Sequence, residues 1–301
     1  MEPPAFVKAM GRGLLPRTWQ RLPLRLNENS KAIQMLAAFV ARQQYPSIAD
    51  CQDGRPGING FEFKVYSQNG EDGIILQIFS RVGVTNRRFV EFGVGDGREC
   101  NTANLAIHFG WHGFLMEANE ADVATAKRYY RARLGPSASA VKIVQSWVTA
   151  ENINETIPKN GMEGEIDLLS VDIDGNDYWV WKAIDCISPR VAVIEYNASL
   201  GHEPITVGYD PNFDRYEKHP SGFYHGASLA AVDKLAKTKG YVLVGCDSAG
   251  VNAFFVRRDV AQDSLPQVSP EEAYFPHSKR VQTRTTEEQL DLIKHLAFDR
   301  V

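Results

Sequence analysis

A glycine-rich turn that follows an apolar strand limits the folds open to this 301-residue chain. The run is Phe89-Val90-Glu91-Phe92-Gly93-Val94-Gly95-Asp96-Gly97. Its apolar part predicts a buried strand. Its alternating glycines let the backbone bend sharply and approach a ligand closely, because no side chain intervenes. Ligands in open α/β sheets bind at the carboxyl ends of strands. The candidate ligand-binding residues in this run are Glu91, Gly93, Gly95 and Gly97.

Strand and helix patterns alternate between residues 86 and 258. Apolar runs of strand length begin at residues 89, 113, 141, 166, 190, 241 and 252. This alternation predicts one doubly wound α/β domain with a mostly parallel, seven-stranded sheet. We expect an N-terminal extension at 1–60 with a helix at 30–43, a ligand-binding domain at 61–260, and a C-terminal tail at 261–301. A capping box at Thr285 predicts a closing helix in that tail.

Glu117, at the end of the second predicted strand, is a further candidate. It follows Gly97 by 20 residues, and an acidic residue at this spacing is well placed to accept hydrogen bonds from ribose hydroxyls. Alternatively, Glu117 caps the helix predicted at 120–134. A dinucleotide-binding turn requires glycine at position 98, where this chain has Arg98. The spacing therefore argues against a nicotinamide cofactor.

Three carboxylates follow the fourth predicted strand, in the run Asp172-Ile173-Asp174-Gly175-Asn176-Asp177. Grouped like charges cost energy unless a cation or a proton is shared among them. The partner is a metal ion, a cationic cofactor or a substrate hydroxyl that is being deprotonated. Asp172 and Asp174 are therefore candidate catalytic residues. The alternative is that this turn only caps the helix predicted at 178–187.

Glu195 and Asn197 end the fifth predicted strand, which we expect to lie beside the fourth. Hard oxygen ligands of this kind suit magnesium, manganese or calcium rather than zinc. The sequence thus predicts a divalent metal site formed by Asp172, Glu195 and Asn197. Alternatively, Asp172 and Asp174 only orient the bound ligands.

Residues 198–226 form a long insertion without a clear hydrophobic period. Such an insertion inside a compact domain is usually functional or disordered. Its aromatic and histidine content predicts a lid over the substrate, with His202 and His225 as candidate general bases. The alternative for either histidine is a structural or surface position.

Two further motifs accompany the glycine turn: Ser67-Gln68-Asn69-Gly70-Glu71-Asp72, and a strand followed by Asp-x-Asp-Gly-x-Asp at 172–177. The turn is similar to motif I of class I methyltransferases that use S-adenosylmethionine (SAM). Over residues 64–258 the chain resembles the FkbM-type class I SAM-dependent methyltransferase family. The resemblance implies a Rossmann-like sheet whose last strand is antiparallel. It also implies SAM contacts from Gln68 and Glu71, and the alternative is that their motif only caps the helix that follows. Gln145, Ser146 and Trp147 are the implied adenine neighbours, and the alternative for Trp147 is a core position.

The resemblance further implies an O-methyltransferase whose acceptor is a sugar, a glycan or a related secondary metabolite. The predicted metal site is similar in part to that of catechol-type O-methyltransferases, where an aspartate after the fourth strand and an Asp-Asn pair after the fifth hold magnesium. Here Glu195-Tyr196-Asn197 stands in place of that pair. SAM and Mg²⁺ or Mn²⁺ are thus the predicted ligands. Two alternatives stay open, a different α/β enzyme with a nucleotide cofactor and a non-catalytic SAM-binding or assembly protein.

Composition limits the partners of the chain. A net charge of −4 argues against a general nucleic-acid-binding protein. Four scattered cysteines form neither a disulfide framework nor a zinc site, so we expect a reducing, cytoplasmic setting. No apolar run is long enough to span a bilayer. The basic residues 1–28 are either an arm with weak contact to anionic lipid or a partner, or a solvated extension. The tail at 261–301 either covers the substrate site or pairs subunits in a homo-oligomer.

Overall fold

The computed structural model describes residues 57–262 and 264–301, together with Val40. The strands are β1 (Arg88–Phe92), β2 (His112–Glu117), β3 (Val141–Gln145), β4 (Gly164–Val171), β5 (Ile187–Glu195), β6 (Ile205–Val207), β7 (Tyr241–Cys246), β8 (Asn252–Arg257) and β9 (Phe298–Arg300). Seven of them form one sheet in the order β3-β2-β1-β4-β5-β8-β7. Strands β1 to β5 run parallel, whereas β8 is antiparallel to β5 and β7. The predicted doubly wound, mostly parallel sheet with an antiparallel last strand is confirmed.

Helices fill the connections between these strands. They are α1 (Glu71–Val82), α2 (Ala103–Phe109), α3 (Glu120–Leu134), α4 (Ile153–Lys159), α5 (Asp177–Ala183), α6 (Arg215–Lys218), α7 (Leu229–Thr238), α8 (Arg258–Ala261), α9 (Pro270–Ala273) and α10 (Thr286–Ile293). Short 3-10 helices lie at Asn59–Phe61, Gly135–Ala140, Ala198–Leu200 and Arg280–Gln282. The sequence pattern did not predict α4, α6, α8 or α9. The capping box at Thr285 that predicted α10 is present.

The central strands β1, β4 and β5 are buried along most of their length because helices cover both faces of the sheet. In β1, Val90 and Phe92 pack into one core and Phe89 packs into the core on the opposite face. In β4, Leu169 and Leu168 divide between the same two cores. This double burial fixes the register of the strands, so the residues that follow β1, β2, β4 and β5 meet at one edge.

The insertion at 198–226 and the C-terminal tail pair with each other. Strand β6 of the insertion is antiparallel to β9 of the tail, with Thr206 opposite Asp299. Leu200 and Ile293 are buried together in a small separate core. The insertion, which showed no period in the sequence, is therefore ordered by residues from the far end of the chain.

Some predictions fall on parts of the chain that the structure does not describe. The basic arm at 1–28 lies outside the described residues, as does the helix at 30–43 except for Val40, which is helical. The division of the chain at 60 and 260 stays a prediction. Within the described part of the chain, no helix has the length and apolar composition needed to cross a bilayer.

Candidate functional site

A cavity of about 790 Å³ lies where the carboxyl ends of β1, β2, β4 and β5 meet. Several predicted site residues line it, namely Gln68, Glu91, Gly93, Gly95, Glu117, Ser146, Trp147, Asp172, Asp174 and Glu195. Five others do not line it, namely Glu71, Gly97, Asn197, His202 and His225. The cavity volume lies within the roughly 300–1,000 Å³ typical of small-molecule sites.

The three glycines of the turn have different roles, although all have positive φ. A Cβ on Gly93 would lie 1.6 Å from the carbonyl oxygen of Asp172, so this glycine lets the ends of β1 and β4 pack together. A Cβ on Gly97 would lie 2.9 Å from the Cβ of Ala126 in α3. Only at Gly95, with φ +51°, does the space around a Cβ hold no protein atom within 4 Å. Gly95 is thus the glycine that leaves room for a ligand, and Gly97 serves packing.

Glu117 connects the end of β2 to this turn. Its Oε2 accepts a hydrogen bond from the backbone N–H of Gly95 at 2.8 Å, and its Oε1 accepts one from Asn119 at 2.9 Å. The N-cap of α3 is Asn119, whose side chain accepts from Ala121 and Asp122. Glu117 is therefore not the helix cap. Each carboxylate oxygen has a second lone pair, which remains for a ligand in the cavity.

Glu91 lies behind the turn in the core. Its carboxylate accepts hydrogen bonds from the backbone N–H groups of Asn101 and Thr102 at 2.8 and 3.1 Å, and from the Thr102 hydroxyl at 2.5 Å. Burial raises the pKa of Glu91 to about 7. All of these donors lie on the segment that leads into α2, so Glu91 fixes the conformation of the turn. Glu91 also lines the cavity in part.

The Ser-Gln-x-Gly-Glu-Asp motif supplies one cavity residue and one buried anchor. Gln68 is exposed and lines the cavity. Glu71 is fully buried, and its carboxylate accepts from the backbone N–H groups of Asn69 and Gly70 and from the side chain of Asn252. The structure thus keeps Glu71 away from the cavity, where it fixes the loop that carries Gln68.

A cluster of three carboxyl groups lies at the ends of β4 and β5. Oxygen atoms of Asp172, Asp177 and Glu195 all lie within 4.8 Å of one another. Burial, and then the repulsion among the acidic groups, raises the pKa of Asp172 and of Glu195 well above their ordinary values. Burial also raises the pKa of Asp177, to about 6. Three such groups cannot all be ionised without a cation, so the cluster shares protons or binds a positive charge.

Asp174 belongs to a different pair. Its side chain is 65% exposed and forms a salt bridge with Arg215 of α6. Its φ of +57° is unusual for a residue other than glycine. The bridge joins the end of β4 to the insertion, so Asp174 positions that segment over the cavity.

Contrary to the prediction, Asn197 does not face the carboxyl cluster. Its Oδ1 accepts hydrogen bonds from Nη1 of Arg280 at 2.8 Å and from the backbone of Ser199 at 3.0 Å. An oxygen that already faces a guanidinium is a poor metal ligand, because the arginine repels a second cation. The structure therefore replaces Asn197 by Asp177 in the candidate ligand set.

The orientation of His225 argues against a general base. The ring is fully buried, and its Nδ1 lies 3.3 Å from Nδ2 of Asn197. That Nδ2 already donates to the carbonyl oxygens of Phe223 and His225 at 2.7 and 2.9 Å, and Nε2 of the ring has no hydrogen-bond partner among the described residues. That Nε2 lies 4.0 Å from Oε1 of Glu195. Burial, and then Arg215 and Arg280, hold the pKa of His225 well below 6.5.

His202 also lies outside the cavity. It is exposed, and its ring packs against Tyr274 with 4.5 Å between ring centroids. Neither histidine is therefore placed to accept a proton from a molecule in the cavity, and Asp172 and Glu195 are the candidate bases that line it.

The structure adds cavity residues that the sequence analysis did not identify. From the insertion come Phe213, Asp214, Arg215 and Tyr216, and from the tail come His277, Lys279 and Arg280. The aromatic content of the insertion signalled the first group only as a lid. No local pattern marked the second group, because the segment at 260–284 has no period.

Comparisons with known proteins found similar solved structures only. No family model matches the chain, and no curated protein matches it. A candidate sarcosine dimethylglycine methyltransferase of Galdieria sulphuraria is 14% identical with a TM-score of 0.39. That match covers 57% of this chain and 62% of the other, less than two thirds of that protein.

Two O-methyltransferase structures match over more of the chain. One, from Bacillus cereus in complex with SAH, is 15% identical with a TM-score of 0.38, covering 75% of this chain and 89% of that one. The other is a candidate caffeoyl-CoA O-methyltransferase of Staphylococcus aureus, 13% identical with a TM-score of 0.43, covering 77% and 99%. The fold class itself rests on the strand order and the antiparallel β8.

Proposed function

We propose that this protein is a SAM-dependent O-methyltransferase that acts on a hydroxyl group of a sugar, a glycan or a related secondary metabolite. One observation carries the proposal. The open turn at Gly95 and the carboxylate of Glu117 are hydrogen bonded to each other on one wall of the cavity. The carboxyl groups of Asp172 and Glu195 lie on another wall of the same cavity.

The residues on the first wall fit the cofactor. Glu117 has lone pairs left to accept from two ribose hydroxyls, and the space at Gly95 admits a chain that a side chain would block. Ser146 and Trp147 line the cavity after β3, where they would flank the adenine. Bound SAM supplies a methyl group that its sulfonium already activates. The protein then has to hold the acceptor in line with it, which supplies much of the rate.

The second wall fits removal of the acceptor proton. Asp172 and Glu195 both line the cavity, and burial raises the pKa of each. A carboxylate with a raised pKa is a stronger base than a free one, and a base must be within hydrogen-bond reach of the proton that it accepts. We assign this role to the pair and leave Asp174 to orient Arg215.

An exposed aromatic ring of the insertion supports a sugar-like acceptor. Tyr216 is 65% exposed and lines the cavity. Nε1 of Trp147, the ring that we assign to the adenine, donates to the carbonyl of Pro211 at 2.6 Å and so holds that ring against the insertion. Such rings combine an apolar face with a polar edge, and a sugar ring, with apolar C–H faces between hydroxyls, is complementary to that surface.

A divalent metal at Asp172, Asp177 and Glu195 is part of the proposal. Carboxylate oxygens are the ligands that Mg²⁺ prefers, and it is usually held by one or two of them together with water. Only Asp172 and Glu195 of the three line the cavity. A metal there would lower the pKa of an acceptor hydroxyl. We expect turnover to fall after chelation and to return with Mg²⁺ or Mn²⁺. Full turnover in chelator, with no metal by elemental analysis, would leave Asp172 and Glu195 as bases alone.

The test of the whole proposal has two parts. Calorimetry should find binding of SAM and SAH but not of NAD, and labelled SAM should transfer its methyl group to a hydroxyl in a panel of glycans. Absence of SAM binding would disprove the methyltransferase. SAM binding with transfer to no acceptor would favour a non-catalytic SAM-binding protein.

A further inference from the structure

We infer that the acceptor carries an anionic group, a carboxylate or a phosphate, which binds to Arg280 on the cavity wall. The inference rests on the proposed function, since it names the class of molecule that the enzyme methylates: acidic sugars or sugar phosphates rather than neutral ones. The wall in question is formed by residues 213–216 of the insertion and 277–280 of the tail, and we call it the basic wall.

Arg280 has an unused edge of its guanidinium group. Its Nη1 donates to Oδ1 of Asn197 at 2.8 Å and to the hydroxyl of Ser199 at 3.0 Å, both of which are neutral groups. Its Nε and Nη2 have no hydrogen-bond partner among the described residues, and no carboxylate of that part of the chain lies within 4.0 Å. These two N–H groups form the edge that binds two oxygens of a carboxylate or phosphate side by side.

The guanidinium is held rigidly and is partly desolvated. Its carbon lies 5.7 Å from the centroid of the Phe223 ring, and the two bonds from Nη1 fix the plane. Burial lowers the pKa of Arg280 to about 10. A partly buried charge without a carboxylate partner costs free energy, and an anionic ligand would offset that cost.

The neighbours of Arg280 add positive charge. Lys279 is exposed, lines the cavity and has no carboxylate within salt-bridge distance in the described ranges. Arg215 is the third cation and is paired with Asp174. His277 lies among them, its Nδ1 accepting from the backbone of Lys279 at 3.3 Å. Burial, and then Arg280, Lys279 and Arg215, lower the pKa of His277 to about 4.

Four acidic residues of the cavity make contacts other than a salt bridge to Arg280 or Lys279. Asp174 is already paired with Arg215, and Asp214 accepts hydrogen bonds from the backbone of Tyr216 and Glu217 as the cap of α6. Burial raises the pKa of Asp172 and of Glu195, so this pair carries less than its full negative charge. Arg280 and Lys279 thus have no salt-bridge partner among the described residues, and an anionic ligand would supply one.

The experiment uses calorimetry on the full chain saturated with SAH. The probes are glucose, glucuronate, glucose 6-phosphate and inorganic phosphate, so that the carboxylate and phosphate sources are separated. We expect at least one anionic probe to bind tenfold or more tightly than glucose. Arg280→Gln should abolish that difference and leave SAH affinity unchanged. If no anionic probe binds more tightly than glucose, the inference is wrong.

Matched variants separate binding from folding. Arg284→Gln removes the same charge from the same segment, at an exposed residue that does not line the cavity, and should retain the preference. Arg280→Lys keeps the positive charge but lacks the paired N–H groups of the guanidinium, so it should retain only part of the preference for anionic probes. If Arg280→Gln does not fold, Lys279→Gln at the exposed neighbour should still weaken anion binding several-fold. An equal loss of SAH and anion affinity in Arg280→Gln would assign the guanidinium to the cofactor and overturn the inference.

Proton uptake gives a second readout. An anion seated beside His277 should raise its pKa from about 4, so binding of glucuronate, which is already ionised near pH 5, should be accompanied by proton uptake. The calorimetric enthalpy should then depend on the ionisation enthalpy of the buffer, and His277→Gln should remove this dependence. None of these measurements needs turnover. If SAH does not bind, the proposed function fails. If SAH binds and anions do not, only this inference fails.

Discussion

Substituting alanine at Gly95 and at Gly97 distinguishes the ligand-facing glycine from the packing glycine. Both residues have φ in the left-handed region, at +51° and +80°. An L-residue in that region costs roughly 1–2 kcal/mol, so both variants should lose stability. In Gly97→Ala the new Cβ would also lie 2.9 Å from that of Ala126 and 3.1 Å from the ring of Tyr130. Overpacking of this kind adds about 1–3 kcal/mol.

SAM affinity should change in the opposite order, with the larger loss in Gly95→Ala. The methyl group of Gly95→Ala points into open space on the cavity wall, where no protein atom lies within 4 Å. It should therefore reduce SAM affinity about tenfold or more, which corresponds to about 1.4 kcal/mol. Gly97 does not line the cavity, so Gly97→Ala should bind SAM with nearly the affinity of the natural chain wherever it remains folded.

The assay combines urea denaturation with calorimetric titration of SAM. We expect Gly97→Ala to lose more free energy of unfolding and Gly95→Ala to lose more SAM affinity. Unchanged SAM affinity in Gly95→Ala would refute the assignment of this turn to the cofactor. A Gly97→Ala variant of normal stability that fails to bind SAM would refute the division of roles.

Two further predictions concern stability. The pKa of Glu91 is about 7 in the folded protein and 4.5 in the unfolded chain. The carboxyl group therefore keeps its proton to a higher pH in the native state. Stability due to Glu91 is thus complete below pH 4.5 and falls by about 3 kcal/mol as the pH rises to 7. Denaturation at several pH values should show a smaller fall in Glu91→Gln. Asp167 is buried, accepts from the backbone of Thr85 and Asn86, and pairs with Arg190 at 3.2 Å. Asp167→Ala should cost about 3–5 kcal/mol without changing SAM affinity, and a loss under 1 kcal/mol would contradict this.

The sequence determined the sheet and the position of the site at its edge. Apolar runs with helical segments between them fix which residues are buried on both faces, and that pattern is local. It identified all seven strands of the main sheet. It also associated Glu117 with the glycine turn through the spacing of 20 residues from Gly97. In the structure the backbone N–H of Gly95 donates a hydrogen bond to Glu117.

Other features of the site depended on tertiary structure. Sequence spacing does not distinguish Gly95 from Gly97. Only the packing of α3 against the turn shows that Gly97 is a packing residue. Likewise, Asn197 is a reasonable metal ligand by spacing until Arg280, from 83 residues away, occupies its oxygen. Local periodicity records which face of an element is buried. It carries no record of which distant side chains share a wall, because that depends on how the insertion and the tail pack over the sheet.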